Sequence, residues 1–244
     1  MVAPALVAAI AAAAFLPPII FIAYVRNQEK TRREPWGAIV RVFLFGAVVS
    51  ILIALALESI FHSEEREYEI LRGGFQVTSI VILVVIIAPL VEEFTKGLAL
   101  RGARKNIVEE EDGIVYGAAA GFGFSATENL FYELAALEQS GETALIATAI
   151  VRTFTGCFLH ATASGILGYG MGKMYRSGRG LAEALPYYAI AVLLHAAFNL
   201  IAVTGVALAA GFTVIIAFLA MRYTVNRIRS LDAVPTFYSD RGPL

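Results

Sequence analysis

The chain has 244 residues, 58% of them hydrophobic and 16% charged, with a mean hydropathy of +0.72; this excludes an ordinary soluble domain and marks a membrane protein. The formal net charge of -1 is uninformative, and no basic block with interleaved aromatics is present, which excludes a nucleic-acid surface. Cys157 is the single cysteine, so no internal disulfide can form, and within an apolar run it reads as a small packed residue.

A spanning helix needs roughly 20 apolar residues, and seven segments meet that requirement. The first, about 2 to 25, lacks the positive flank of a signal peptide and reads as an uncleaved helix. The others follow at about 37 to 61, 76 to 100, 113 to 134, 143 to 171, 184 to 203 and 205 to 222. The last two form one apolar stretch broken only at Thr204-Gly205, so the turn there is inferred from length. No intervening polar stretch exceeds about 20 residues, too few for a separate core. The expected fold is an all-α polytopic bundle, with one integral-membrane domain over 1–230 and a cytoplasmic tail over 231–244.

Lys and Arg concentrate in alternate loops. R-N-Q-E-K-T-R-R holds four, R-G-A-R-K three, G-K-M-Y-R-S-G-R three and the C-terminal segment four, whereas E-L-A-A-L-E-Q-S-G-E holds none. Because cytoplasmic loops are enriched in basic residues, the expected orientation is N-terminus outside and C-terminus inside, in a prokaryotic cytoplasmic membrane.

Few ionisable residues fall inside the spans. They are Glu92, Glu93 and Lys96 in the third, Glu128 in the fourth, Arg152 and His160 in the fifth, and His195 in the sixth. Arg41 and Glu58 lie near the ends of the second span, within reach of the interface, and His62 sits in a polar loop. A charge at the bilayer centre costs on the order of 3 kcal/mol, so such residues face the bundle interior and mark a site. With about 1.5 Å of rise per residue, Glu92 lies roughly 13 Å from the cytoplasmic end of its span, His160 and His195 roughly 16 Å, and Glu128 roughly 22 Å. These depths are compatible with one pocket.

Residues four apart share a helix face. Glu92 and Lys96 do so and can pair, while Glu93 is turned by about 100° toward another neighbour and is free for chemistry. Phe124 and Glu128 share a face, with the Asn129 amide beside them, and so do His195 and Asn199. Arg152 is placed to compensate a carboxylate such as Glu128. Pro89, one turn before Glu92, removes a backbone donor and kinks the third helix. Taken singly, the Glu92–Lys96 pair also fits a snorkelling interfacial pair and each His a structural hydrogen bond; it is their co-occurrence at one depth that points to a site.

Carboxylates and histidines with no Ser nucleophile pattern favour hydrolysis by activated water, a carboxylate acting as base while His and Asn donors hold the oxyanion. A zinc site built from two His and one Glu is the alternative, assembled from separate helices because no H-E-x-x-H is present. A non-catalytic membrane scaffold and a proton-coupled transporter use similar residues; a transporter calls for broken helices in two corresponding halves, and Pro89 is one clear interruption.

E-E-F-T-K at 92 to 96, F-S-A-T-E-N at 124 to 129, the His of C-F-L-H at 157 to 160 and H-A-A-F-N at 195 to 199 resemble, in order and placement, the four motifs of the PrsW family of intramembrane proteases. That family is related to the type II CaaX prenyl proteases. The resemblance covers the third to sixth spans. It implies an endopeptidase that cuts membrane-embedded or membrane-associated protein substrates, in some bacteria an anti-sigma factor during stress signalling. Carried over by position, Glu92 and Glu93 are the essential carboxylates, one of which activates water. Glu128 stands where the CaaX relatives have His, which argues against a prenylated substrate. His160 and His195 complete the centre, Asn199 assists the oxyanion, and Lys96, Asn129 and Arg152 support the site. If zinc is the cofactor, Glu128, His160 and His195 would be its ligands.

Overall fold

The computed structural model describes residues 4–61, 67–71, 75–203 and 207–232. It is a bundle of helices: α1 (Pro4–Arg26), α2 (Trp36–Phe61), α3 (79–99), α4 (Glu110–Phe154), α5 (Gly156–Ser177), α6 (Leu181–Val203) and α7 (Ala207–Asp232). Among the described residues one hairpin departs from the all-α pattern. Its strands β1 (Glu67–Leu71) and β2 (Phe75–Thr78) pair antiparallel, with Glu67 opposite Thr78. The third predicted segment therefore starts three residues late, at Ser79, because F-Q-V-T alternates in polarity and suits a strand. His62 and the Thr204-Gly205 turn lie outside the described residues, as does 233–244 of the predicted tail.

Four helical runs among the described residues are long and apolar enough to cross a bilayer: Pro4–Arg26, Trp36–Phe61, Glu110–Ser177 and Leu181–Val203. The Glu110–Ser177 run covers the fourth and fifth predicted spans, and a kink at Gly141 divides it inside the segment expected to separate them. Helix α4 continues through the polar segment expected to be a loop and breaks only at Gly141, whose φ of 80° and ψ of -171° glycine alone adopts readily. α3 and α7 fall short of that criterion; α3 carries Glu92, Glu93 and Lys96. Large apolar side chains face outward along the bundle, Leu52 on α2, Leu193 on α6 and Phe218 on α7 among them. A soluble protein does not sustain such a surface, and with the apolar helices it makes this an integral membrane protein.

Helix α4 is the centre of the packing, with residues 111–126 buried on every side. A helix enclosed all round must be apolar or small all round, and G-I-V-Y-G-A-A-A-G-F-G-F meets that condition. α5 lies against it at backbone contact. A Cβ on Gly117 would sit 2.1 Å from the Ser164 carbonyl oxygen, and one on Gly121 2.3 Å from that of His160. Small residues at four-residue spacing permit this approach in a bilayer, where van der Waals packing takes over from hydrophobic burial as the driving force between helices. The contact sets the height at which His160 on α5 meets Glu128, two turns beyond Gly121.

The basic loops gather at one end of the bundle. Asp232, closing α7, accepts the backbone N–H groups of Lys30 and Thr31 at 3.0 and 3.1 Å, Arg229 donates to Gln28, and the Arg104 guanidinium lies over the Tyr175 ring. The end that carries the C-terminus of α2 and the last turn of α6 is opposite.

Candidate active site

Helix α3 begins irregularly, with residues Leu83–Ile87 in a π-helical turn where the Ala88 N–H bonds the Leu83 carbonyl five residues back. The next bond in that register would run from residue 89 to the Val84 carbonyl, and Pro89 has no N–H to give. Asn199 on α6 supplies the missing donor, its Nδ2 lying 2.9 Å from Val84 O. The interruption expected from Pro89 is thus present as a π turn, and its orphan carbonyl is where α6 docks. Beyond it α3 is regular and presents Glu92, Glu93 and Lys96, all buried.

Lys96 Nζ lies 2.6 Å from Glu93 Oε1 and 3.4 Å from Glu92 Oε2. The expected pairing of Lys96 with Glu92 alone, leaving Glu93 free, is corrected by this geometry: the long lysine stem reaches both carboxylates, and Glu93 is the closer. Glu93 also accepts hydrogen bonds from Ser164 Oγ at 3.0 Å and from His195 Nδ1 at 3.0 Å. It is fully buried and saturated with partners.

The histidines have defined roles because their neighbours do. A carboxylate accepts, so His195 donates through Nδ1 to Glu93, and its Nε2 lies 3.8 Å from Glu92 Oε2. Lysine only donates, so His160 Nδ1 accepts from Lys96 at 3.0 Å, and His160 Nε2 donates to Glu128 Oε2 at 2.7 Å. The two rings meet edge to face with centroids 4.9 Å apart. Phe124 packs against His160 on one side and lies under the Lys96 ammonium, 4.4 Å from its ring centroid, a cation–π contact that helps to hold a desolvated charge.

Arg152 does compensate Glu128, at 2.7 Å, and its Nε donates to Asn129 Oδ1 at 2.8 Å. Asn129 in turn donates to the sulfur of buried Cys157, which packs as expected. The structure therefore brings every residue of the expected set into one connected network, Asn199 through the α3 backbone.

Two members were not evident in the sequence. Ser164 sits one turn after His160 on the same face of α5, a spacing that could have exposed it. Glu58 was read as interfacial, yet it lines the site cavity; Ile51, Ala54 and Glu58 follow the i, i+3, i+7 pattern of an inward-facing stripe.

That cavity has a volume of about 450 Å³, and Glu58, Glu92, Glu128, Arg152, His160 and Asn199 contribute to its wall; Glu93 and His195 lie behind it. It extends toward Tyr132 and Val203, away from the basic loops.

The donors also bear on metal binding. One oxygen of Glu92 and one nitrogen each of His160 and His195 lie within 4.8 Å of one another, a His₂Glu set of the kind found in zinc hydrolases. Glu93 behind His195 and Glu128 behind His160 orient the rings as outer carboxylates do around metals. The set that converges thus contains Glu92, with Glu128 on the far nitrogen of His160. The residues fit a zinc ion, with one feature opposing it: the Lys96 ammonium uses the His160 Nδ1 lone pair that an ion would need.

A helical membrane protein with carboxylates and histidines converging on a buried cavity has the makings of an intramembrane hydrolase. Residues 34–224 match the model of the PrsW family of intramembrane metalloproteases. The chain is 26% identical over 194 residues to Protease PrsW of Clostridioides difficile (strain 630), covering 77% of this chain and 76% of that protein. It is 29% identical over 165 residues to Protease PrsW of Geobacillus kaustophilus (strain HTA426), covering 64% of this chain and 63% of that protein. No solved structure matches it significantly. The chain belongs to the PrsW family and is an intramembrane protease.

Proposed function

We propose that the protein is a multi-pass endopeptidase of a prokaryotic cytoplasmic membrane that hydrolyses membrane-embedded or membrane-associated protein substrates with water activated by Glu92. The observation that carries this reading is the asymmetry of the glutamate pair. Glu92 forms part of the cavity wall, whereas Glu93 is enclosed behind it by Lys96, Ser164 and His195. Glu92 takes a proton from water as the oxygen attacks the scissile carbonyl, then passes it to the departing amine as the C–N bond breaks. Asn199 commits one amide hydrogen to Val84 and keeps the other for the carbonyl oxygen as charge develops there. Glu93 holds Lys96 and His195 in place, and Glu128 with Arg152 holds His160.

Were zinc held by Glu92, His160 and His195, the ion would polarise the carbonyl and acidify the water in place of Glu92, which would then serve as a ligand and not as the base. The positive-inside rule puts the gathered basic loops in the cytoplasm, with the N-terminus outside and the C-terminus inside. The cavity then reaches the substrate from the outer half of the bilayer, and a role in stress signalling follows from the family resemblance. A fluorogenic membrane peptide incubated with the detergent-purified protein tests the reading. Cleavage by the wild type that Glu92→Gln abolishes, with the fold kept, supports it, and full activity in Glu92→Gln overturns it.

A further inference from the structure

A second carboxylate cluster lies at the basic end of the bundle. Glu29 and Glu34 come from the loop between α1 and α2, and Asp112 from the first turn of α4. One carboxylate oxygen of each lies within 4.8 Å of the other two. All three side chains are nearly inaccessible, at 1%, 3% and 1% exposure.

Local structure accounts for half of their bonding capacity. Asp112 Oδ2 accepts the backbone N–H groups of Val108 and Glu109 at 2.6 and 2.7 Å, capping α4. Glu29 Oε2 accepts the Glu34 N–H at 3.4 Å, and Glu34 Oε2 accepts the Tyr116 hydroxyl. Glu34 and Asp112 share a hydrogen bond between their side chains, whereas Glu29 Oε1 is buried with no hydrogen-bond partner. Neighbouring arginines spend their Nε groups on main chain, Arg26 on the Glu34 carbonyl and Arg33 on that of Glu29. Folded proteins seldom leave a buried acceptor unsatisfied, and one left so calls for an ion or water as partner.

We propose that Glu29, Glu34 and Asp112 form a binding site for a hard divalent cation of the Mg²⁺ or Ca²⁺ kind, separate from the active site. Carboxylate oxygens without nitrogen or sulfur donors select such ions. Three acidic side chains from two chain segments supply the charge, and one converging oxygen of each supplies the coordination. The ion ties the α1–α2 loop, itself held by Asp232 of α7, to the start of the central helix.

The test uses full-length protein in detergent, stripped with a chelator and titrated with MgCl₂ or CaCl₂. Thermal unfolding and equilibrium dialysis are read together. One of the two salts should raise the Tm saturably by about 4 °C or more, with one ion bound per chain, in the wild type and equally in His195→Ala. Glu29→Gln keeps the acceptor for the Glu34 N–H and should weaken binding at least tenfold; Glu34→Gln provides a second variant should Glu29→Gln not fold. Three results overturn the proposal: no saturable response to either salt, wild-type affinity in both glutamine variants, or loss of the response in His195→Ala.

Discussion

His195 donates through Nδ1 to Glu93 at 3.0 Å, and this bond sets two adjacent glutamates in different surroundings. With Glu93 holding the ring, Nε2 of His195 and the carboxylate of Glu92 are left facing each other. Exchanging either glutamate for glutamine should therefore damage the protein in different ways. Glu92→Gln should lower kcat by about 10²- to 10⁴-fold, the range for losing a general base, with little change in Tm. Glu93→Gln strips the counter-charge from a buried lysine and should cost about 3–5 kcal/mol of stability, read as a fall in Tm alongside lost activity. Equal Tm values for the two variants would contradict this division.

A zinc ion at the proposed site would compete with Lys96 for the lone pair on His160. Lys96→Met removes the ammonium and its repulsion, so the variant should bind zinc at least tenfold more tightly than the wild type, measured against a chromophoric chelator. It should also be less stable, because Glu93 loses its closest partner. Unchanged zinc affinity would mean that the lysine does not occupy the ion's place.

The approach of α4 and α5 leaves no room at Gly117. Gly117→Ala should cost about 1–3 kcal/mol, as overpacking does, and Gly117→Leu should yield little folded protein on size exclusion in detergent. Activity should fall in Gly117→Ala although the residue is far from the cavity, because His160 rides on the displaced helix.

The loop carboxylates give the protein a pH dependence of known sign. Burial, then the adjacent Asp112, pushes Glu29 up to about 8; burial and the Asp112 carboxyl push Glu34 up to about 9. Glu111 and Asp232 add negative charge around Glu29, while the Tyr116 hydroxyl opposes the rise at Glu34. A raised carboxyl binds its proton more tightly in the folded state. The folded state is therefore favoured at low pH, and the advantage is lost as pH climbs from about 4.5 toward 9. In chelator the Tm should fall by about 5 °C or more between pH 5 and pH 9, and Glu34→Gln should flatten the slope. A Tm that rises over that interval would refute the assignment.

Much of the site could be read from the chain because a charge in a bilayer has to be accounted for. Glu92, Glu93, Glu128, His160 and His195 stood out against apolar surroundings, and their depths agreed. Less legible was what long side chains choose. Helical periodicity placed Lys96 on the face of Glu92, but four methylenes let it reach Glu93 as well. Glu58 lies near a span end, where sequence alone does not separate access to the interface from a place on the cavity wall. Helix runs on through E-L-A-A-L-E-Q-S, whose polarity reads as a loop although most of those residues are good helix formers, and the expected break falls at its end, at Gly141. The second acidic cluster left no pattern in sequence, since its members sit far apart and meet only through the α1–α2 loop and Asp112.

The bond between Asn199 and the Val84 carbonyl bears on the order in which the site is assembled. A ribosome delivers α3 into the bilayer well before α6, with the Val84 carbonyl bare and Glu93 lacking His195. A single late helix then brings both Asn199 and His195, closing the gap that Pro89 left and completing the candidate site in the same event. On the proposed mechanism, a chain ending before α6 would carry the glutamates without His195 and Asn199 and would be inactive.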